Sequence, residues 1–414
     1  MGANSTRVLA HIHHLELGGT QLNAVDFAWA LRPHGFETIL AGPRDTIPAS
    51  GPSLLDVAKA RGVQVIPYDR AKSTPKAARI LDQIARDNRI DLVHSYSTAT
   101  RRSAYWGPCR LGLRPLVSTL YEMSVSPSAA GLGADLIVGT GYLKDEVGEA
   151  RSHVHLVSPP VDLERDNASA FPDRAFLRSV GLEPGLPTIV LVSRLSRSMK
   201  GLAVELALSA ADVLANTGLQ LLVVGTGDAE VDFRSMAGAI NARNGRPVAV
   251  LAGPLGDPRP AYACADIIIG MGGSAARGLA FAKPLIVSGE NGWFAQFTPE
   301  TSQALFRNSF WSPEASPTAL DDLVKIIRTL LETPSSWASL GAFGRTFAEQ
   351  HFGLSAMAAR QAQIYHDALA NYGMLRWSFD LGIEARVVAI NAGRRAFALG
   401  TSGLNLVRPL LGSA

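Results

Sequence analysis

The residues best equipped for chemistry lie at 194–201, Arg-Leu-Ser-Arg-Ser-Met-Lys-Gly, directly after the apolar run 188–193. Three cations at the mouth of a strand favour an anion. An Arg offers a planar fork for two phosphate oxygens and a Lys a mobile point charge, so Arg194 with Lys200 can neutralise a diphosphate and its departing charge. The other reading is solvated loop charge. Three glycine loops accompany this pair: Gly18-Gly19 inside 11–21, HIHHLELGGTQ; Gly225 and Gly227 inside 223–228, VVGTGD; and Gly272-Gly273 inside 269–277, IGMGGSAAR. Paired glycines let backbone N–H groups approach an anion closely, although a tight turn before a helix uses them equally well. In the third loop Ser274 is a candidate N-cap, and the helix start behind Gly272 and Gly273 presents N–H donors and a positive dipole end. Arg277, one turn in, either reaches the same phosphate or turns to solvent. These loops are neither a Walker sequence nor a Gly-x-Gly-x-x-Gly fingerprint, because 225–230 reads GTGDAE and 270–275 reads GMGGSA, which argues against ATPase and dehydrogenase chemistry.

Positioning these loops requires strand ends. Short β-rich runs alternate with longer helical patterns, the sequence form of parallel strands joined by crossover helices. A first series predicts strands at 7–12, 36–41, 63–67, 91–95, 116–120 and 135–139, with helices such as 21–31 and 75–88 between them. A second predicts strands at 188–193, 219–225, 248–252, 266–270 and 284–288, separated by helices at 203–216, 228–244 and 274–282. Two doubly wound α/β sheets follow, and with two sheets the natural ligand site is the cleft at the carboxyl ends of their strands.

Length and composition agree. At about 150 residues per domain, 414 residues give two or three domains. With 47% hydrophobic and 18% charged residues the chain can bury a large core and is not a disordered one. The 39 basic against 36 acidic residues give a formal +3, which makes nucleic acid an unfavoured partner while leaving room for a local basic pocket. Cys109 and Cys264 lack disulfide or zinc spacing, as expected in a reducing cytosol. No signal peptide or run of 18 apolar residues is legible, so a cytoplasmic location is expected. His11, His13 and His14 cluster, but strand alternation separates 14 from the other two, which favours a core or cleft-edge role over a metal site. His94 ends a strand and reads equally as a cleft contact or a satisfied core histidine.

In order along the chain, Leu17-Gly18-Gly19-Thr20-Gln21, Asp91 to His94, Pro159-Pro160-Val161-Asp162, Ser193-Arg194-Leu195 with Lys200-Gly201, 224–227 (VGTG), Ala265-Asp266 and 280–284 (AFAKP) resemble family 4 glycosyltransferases over roughly residues 7–370. These are retaining enzymes of GT-B architecture that use nucleotide-activated sugars. The resemblance implies a GT-B fold, two Rossmann-like doubly wound domains facing across a cleft. The acceptor-side domain would span 1–165 and the nucleotide-sugar-binding domain 166–355, with helices of 356–414 returning to the first. It implies that Gly18, Gly19, Arg194 and Lys200 hold the donor diphosphate, joined here by Gly272, Gly273, Ser274 and Arg277. Gly225, Gly227 and Glu290 are then expected near the nucleotide or sugar. The co-substrate would be a nucleotide-diphosphate sugar, with no metal or other cofactor. The acceptor would be a glycan, a lipid-linked molecule or a natural product.

Two departures from that family stand out. Its Glu-x7-Glu motif is missing: counting back from Pro284 puts Arg277 at the second Glu, which binds ribose in the family, and Ile269 at the first. Either Glu290 holds the ribose or Arg277 adds a phosphate contact, and the second is the expectation. The family's His after the fifth strand is replaced by Tyr121, a substitute hydrogen-bond partner near the transferred sugar, so Arg194, Lys200 and Tyr121 form the expected catalytic set. Two other functions fit these departures: a GT-B epimerase using Glu122 and Glu290, or a degenerate transferase-like binding subunit. In the tail, 385–399 mixes apolar and basic residues, which suits peripheral contact with the inner membrane face or an ordinary helix packed on the first domain.

Overall fold

The computed structural model describes residues 5–44, 53–122, 124–125, 131–149, 151–172 and 174–390. Apolar runs rich in Val, Ile and Leu, buried on both faces, set up parallel strands. The first sheet of the described residues contains β1 (Thr6–His11), β2 (Phe36–Pro43), β3 (Val65–Tyr68), β4 (Leu92–Ser95), β5 (Leu116–Leu120), β6 (Asp135–Val138) and β7 (Val154–Leu156). Its order is β3-β2-β1-β4-β5-β6-β7, all parallel, with His11 opposite Ser95 and Ser95 opposite Ser118. The second holds β8 (Thr188–Val192), β9 (Gln220–Val224), β10 (Ala249–Gly253), β11 (Ile267–Gly270), β12 (Leu285–Ser288) and β13 (Phe294–Gln296), in the order β10-β9-β8-β11-β12-β13. Strand β13 runs antiparallel at the edge. Both β7 and β13 escape the sequence reading because three residues are too few to display a period.

Helices cover both faces. In the first sheet these include α1 (Gly19–Ala30), α2 (Leu54–Ala60), α3 (Thr74–Asp87), α4 (Thr98–Trp106) and α5 (Gly141–Gly148). Around the second lie α6 (Ala175–Ser179), α7 (Gly201–Val213), α8 (Glu230–Asn244), α9 (Arg259–Cys264), α10 (Gly273–Ala280), α11 (Ser302–Arg307), α12 (Ala319–Glu332) and α13 (Trp337–His351). One face of β8–β11 packs Ile189, Leu191 and Ile269 against α7, α8 and α12, and the other packs Val190, Leu222 and Ile268 against α9, α10 and α13. The chain crosses between the domains twice side by side, where Val161 bridges to Gly353. Arg61 ties this crossing to the first domain through Asp162 at 2.5 Å and Asp26 at 2.9 Å.

After the second crossing α14 (Leu354–Asn371) lies on the first sheet, its Met357, Ala358 and Tyr365 packed with Val8, Phe36 and Leu92. Then α15 (Met374–Ser378) and a helical stretch over 381–390 continue across that domain. Trp377 stacks on Tyr105 with ring centroids 5.0 Å apart. Arg101, 1% exposed, reaches Asp380 at 3.1 Å and Glu384 at 2.8 Å, and Glu384 also accepts from Arg102 Nε and Trp106 Nε1, both at 2.9 Å. The tail as far as Glu384 is therefore part of the first domain's packing, and 385–390 continues the helix with mostly exposed residues. The remainder of the 385–399 stretch lies outside the described residues. None of the described helices is long and apolar enough to cross a membrane.

Candidate active site

The loop 193–200 leaves β8 and folds back onto the loop after β9. Leu195 N–H donates to Thr226 O at 2.9 Å and Ala229 N–H to Leu195 O at 2.9 Å. A side chain at Gly225 would collide with Ser193 O and one at Gly227 with Leu195 O. These two glycines thus let one backbone lie on another beneath Arg194. The loop ends with Met199 in the left-handed region, φ +64°, a strained conformation for a non-glycine residue, and Lys200 then caps α7.

Opposite stands α10, opened by Gly272 at φ +59° with no side-chain cap and no acidic residue in the first turn. Gly272 N–H is tethered to Phe310 O at 2.9 Å. Ser309 and Phe310, with φ of +51° and +57°, form a second strained bend beside it. From the first domain come Tyr121 after β5 and Thr140, the N-cap of α5, whose Oγ1 accepts from Leu143 N–H. Arg194, Lys200, Gly272, Gly273, Tyr121 and Trp311 line one cavity of about 270 Å³ between the two domains.

Its electrostatics are uneven. Burial, aided by the Arg194 charge, holds the Lys200 ammonium below the usual lysine range. An anion placed between these two cations relieves both effects. Burial pushes the Tyr121 phenol well up, so that it stays protonated, and its hydroxyl has no hydrogen-bond partner among the described residues. A buried polar group left unpaired by the protein is costly, about 1–3 kcal/mol, and this hydroxyl, shielded from solvent in the present conformation, would meet a ligand only as the site rearranges or closes.

No protein-family model matches the sequence, and no curated protein is significantly similar to it. Solved structures do match in three dimensions. A glycosyltransferase from Rickettsia africae ESF-5 superposes with a TM-score of 0.69 at 17% identity, over 88% of this chain and 99% of that one. Anabaena Alr3699/HepE in complex with UDP gives 0.65 at 17% identity, over 87% and 100%. Sucrose-phosphate synthase from Thermosynechococcus elongatus gives 0.63 at 16% identity, over 88% and 99%. The chain has the GT-B fold.

Within the GT-B cleft the other expected residues are distributed as follows. Gly18 and Gly19 open α1, which has no side-chain cap and no acidic residue in its first turn, but they lie after β1 and do not line the cavity with Lys200. Ser274 is not the cap of α10. It sits in the first turn, its hydroxyl accepting from Met271 N–H at 3.1 Å and donating to Met271 O at 3.0 Å. Arg277 departs from the expected phosphate contact: its Nε donates to Asp166 at 2.8 Å, away from the cavity lining. The buried Asp166, 3% exposed, is the physical reason, since a desolvated carboxylate draws the nearest guanidinium. Arg197 likewise leaves the site, paired with Asp232 while its N–H donates to Asp228 at 3.1 Å.

Glu290 accepts from Trp311 Nε1 at 3.3 Å and is not among the residues lining the cavity. Glu122 lines the cavity. His94 is a core residue, hydrogen-bonded through Nδ1 to the Tyr365 hydroxyl at 2.6 Å and through Nε2 to Thr119 Oγ1 at 2.7 Å. Burial depresses it to about 3. Among the described residues no group of three His, Cys, Asp or Glu side chains converges on one point. Sequence reasoning missed Thr140, Ser309 and Trp311. A tryptophan within the turn-rich 308–316 is the one signal that pointed there.

Proposed function

We propose that the protein is a glycosyltransferase that takes its sugar from a nucleotide-diphosphate donor and passes it, with retention, to an acceptor held on the first domain. The observation that carries this reading is the meeting of Arg194, Lys200 and the uncapped start of α10 with Tyr121 in one interdomain cavity. Complexes of Alr3699/HepE with UDP and with UDP-glucose support a uridine donor.

In this reading the anomeric C–O bond to the diphosphate breaks, its electron pair leaving with the diphosphate. A C–O bond to the acceptor hydroxyl forms on the same face, and the hydroxyl proton passes to the departing diphosphate. Arg194, Lys200 and the N–H group of Gly273 stabilise the charge that develops, more strongly in the transition state than in the bound donor. The Tyr121 hydroxyl fixes the sugar. Gly18 and Gly19 add backbone donors when the domains close over the donor, and closure excludes water. Of the two carboxylates an epimerase would use, Glu122 lines this cavity and Glu290 is not among its lining residues.

The test is thermal stability with a panel of nucleotide diphosphates. At one hundred times its dissociation constant a ligand stabilises by about 2.7 kcal/mol. One diphosphate should raise the melting temperature of wild type and lose most of that effect in Arg194→Ala and Lys200→Ala. Because Lys200 is depressed in the free protein, binding should also weaken as pH rises through its lowered titration range, and that dependence should vanish in Lys200→Ala. Equal stabilisation of wild type and Lys200→Ala excludes this diphosphate site.

A further inference from the structure

A second cavity, of about 380 Å³, opens on the first domain at the carboxyl ends of β1, β2 and β3. Its wall carries His11, His13, Tyr68, Arg70, Lys72 and Arg102, and no carboxylate among the described residues. Arg70 and Lys72 are exposed and make no ion pair with any described residue. The start of α3 faces the same space through Ser73 and Thr74: it has no side-chain cap and no acidic residue in its first turn. Pro75 in its first turn has no N–H, so the Thr74 and Lys76 N–H groups and the helix dipole are what add to the positive field. That field is already felt by His13, which burial and then the Arg70 charge hold below the usual histidine range. His11 forms a fixed, neutral floor, hydrogen-bonded to the Tyr68 hydroxyl at 2.6 Å.

The pocket does not end there. Thr74 and Arg102 also line a neighbouring groove of about 380 Å³, whose wall includes Pro75, Ala78, Trp106 and Val388. Trp106 and Val388 are 37% and 54% exposed, so the groove's rim offers apolar surface to solvent. In the other direction, β1 lies two strands and β3 four strands from β5, so the His11 floor stands on the order of 10 Å and the Arg70 and Lys72 cations on the order of 20 Å from Tyr121 along the sheet edge. A cationic pocket thus lies on one sheet edge with the transfer cavity and runs into a groove whose wall is apolar at Pro75, Ala78, Trp106 and Val388 and carries the Asp82–Arg110 ion pair and Arg79 beside them.

The geometry points to a phosphate-linked amphiphile as the acceptor, a deduction that rests on the transferase reading above. Its phosphate or diphosphate sits on Arg70, Lys72 and the α3 N-terminus, its apolar chain follows Pro75, Ala78, Trp106 and Val388, and its hydroxyl-bearing end reaches towards Tyr121. Phosphate oxygens match forked and point cations together with helix N–H groups, and the absence of a carboxylate from the wall removes competition for them.

The experiment uses the full-length protein and three probes: dodecyl phosphate below its micellar concentration, inorganic phosphate, and uncharged dodecyl maltoside. Calorimetry should show dodecyl phosphate binding at least tenfold tighter than inorganic phosphate. Arg70→Ala with Lys72→Ala, a surface change that leaves the core alone, should weaken both at least tenfold, whereas Val388→Asp should weaken dodecyl phosphate alone. Equal binding of dodecyl maltoside, or no effect of the double substitution, overturns the proposal. Inorganic phosphate binding as tightly as dodecyl phosphate overturns the amphiphile in favour of a soluble phosphorylated acceptor. In parallel, nucleotide-diphosphate stabilisation should survive Arg70→Ala with Lys72→Ala. Its loss there assigns the basic pocket to the donor and overturns the proposal. No stabilisation of wild type by any nucleotide diphosphate, with dodecyl phosphate still bound at Arg70 and Lys72, overturns the transferase reading and leaves an anion pocket of another function.

Discussion

Replacing Tyr121 by Phe separates what the hydroxyl does for substrate from what it does for the fold. The ring rests on Gly139, where an added Cβ would lie 2.9 Å from Tyr121 Cδ1, and against the α14 core, so Phe keeps the packing. The hydroxyl makes no hydrogen bond to a described residue. Leaving such a group buried costs about 1–3 kcal/mol, so Tyr121→Phe should stabilise the ligand-free protein by about 1 kcal/mol, a rise of about 2 °C in melting temperature. Function should move the opposite way. A neutral hydrogen bond to the bound sugar contributes about 0.5–1.5 kcal/mol, and one to a charged oxygen about 1.5–3 kcal/mol. These correspond to losses in kcat/KM of about 2- to 12-fold and about 12- to 150-fold. The assays are thermal unfolding without ligand and release of nucleotide diphosphate with acceptor present. Burial keeps the phenol protonated, so the activity ratio of variant to wild type should be flat from about pH 6 to about pH 9. A variant destabilised by more than about 1 kcal/mol with kcat/KM within about twofold of wild type would refute the reasoning, because the hydroxyl would then serve the fold and not the substrate.

Three further substitutions test the frame around the site. Glu384→Ala removes a fully buried acceptor of Arg101, Arg102 and Trp106 and should lower stability by about 3–5 kcal/mol in urea unfolding, while an effect under about 1 kcal/mol would deny the tail its role in the first domain. Arg277→Ala strands the buried Asp166, whose carboxyl burial already pushes up against the pull of Arg277; stability should fall while nucleotide-diphosphate affinity stays within about threefold, and a large affinity loss at constant stability would restore the phosphate contact to Arg277. His94, held neutral in the core, titrates at about 3 when folded against 6.5 when free. Its unfolded form therefore takes up a proton that the native state refuses, so stability present above about pH 6.5 is lost as pH falls towards 3, by a few kcal/mol at most. His94→Gln should flatten the slope of stability against pH in that window, and an unchanged slope would show that the proton is taken up elsewhere.

How much of this was legible from residue types divides along a physical line. Eleven of the strands lie in apolar sequence runs of five or more residues, and the two-sheet architecture follows from them and the helices between; β7 and β13, at three residues each, carry no such signal. The cations Arg194 and Lys200 were legible because their placement is set by the end of one strand. Local sequence could not say which cations a distant carboxylate would claim. Asp166 lies 111 residues from Arg277 in the chain, and Asp232 and Asp228 stand on a different strand–helix unit from Arg197, so the loop's apparent triple charge resolves into one pair only in three dimensions.

The glycines teach a related lesson. The sequence places Gly225 and Gly227 near the nucleotide or sugar, and in the structure a side chain at either would meet the backbone of Ser193 or Leu195. Glycine reports that something approaches closely and is silent about what it is. Here the approach still serves the site: by letting two loops lie backbone to backbone it fixes the base on which Arg194 stands, while Lys200 is fixed separately as the cap of α7. A side chain at Gly227 should therefore weaken nucleotide-diphosphate binding without touching the ligand, by tilting the Arg194 loop. Gly227→Ala combined with Arg194→Ala should then be little worse than Arg194→Ala alone, since both act through the same guanidinium. Additive losses in that double-mutant cycle would instead mean that Gly227 meets the nucleotide itself.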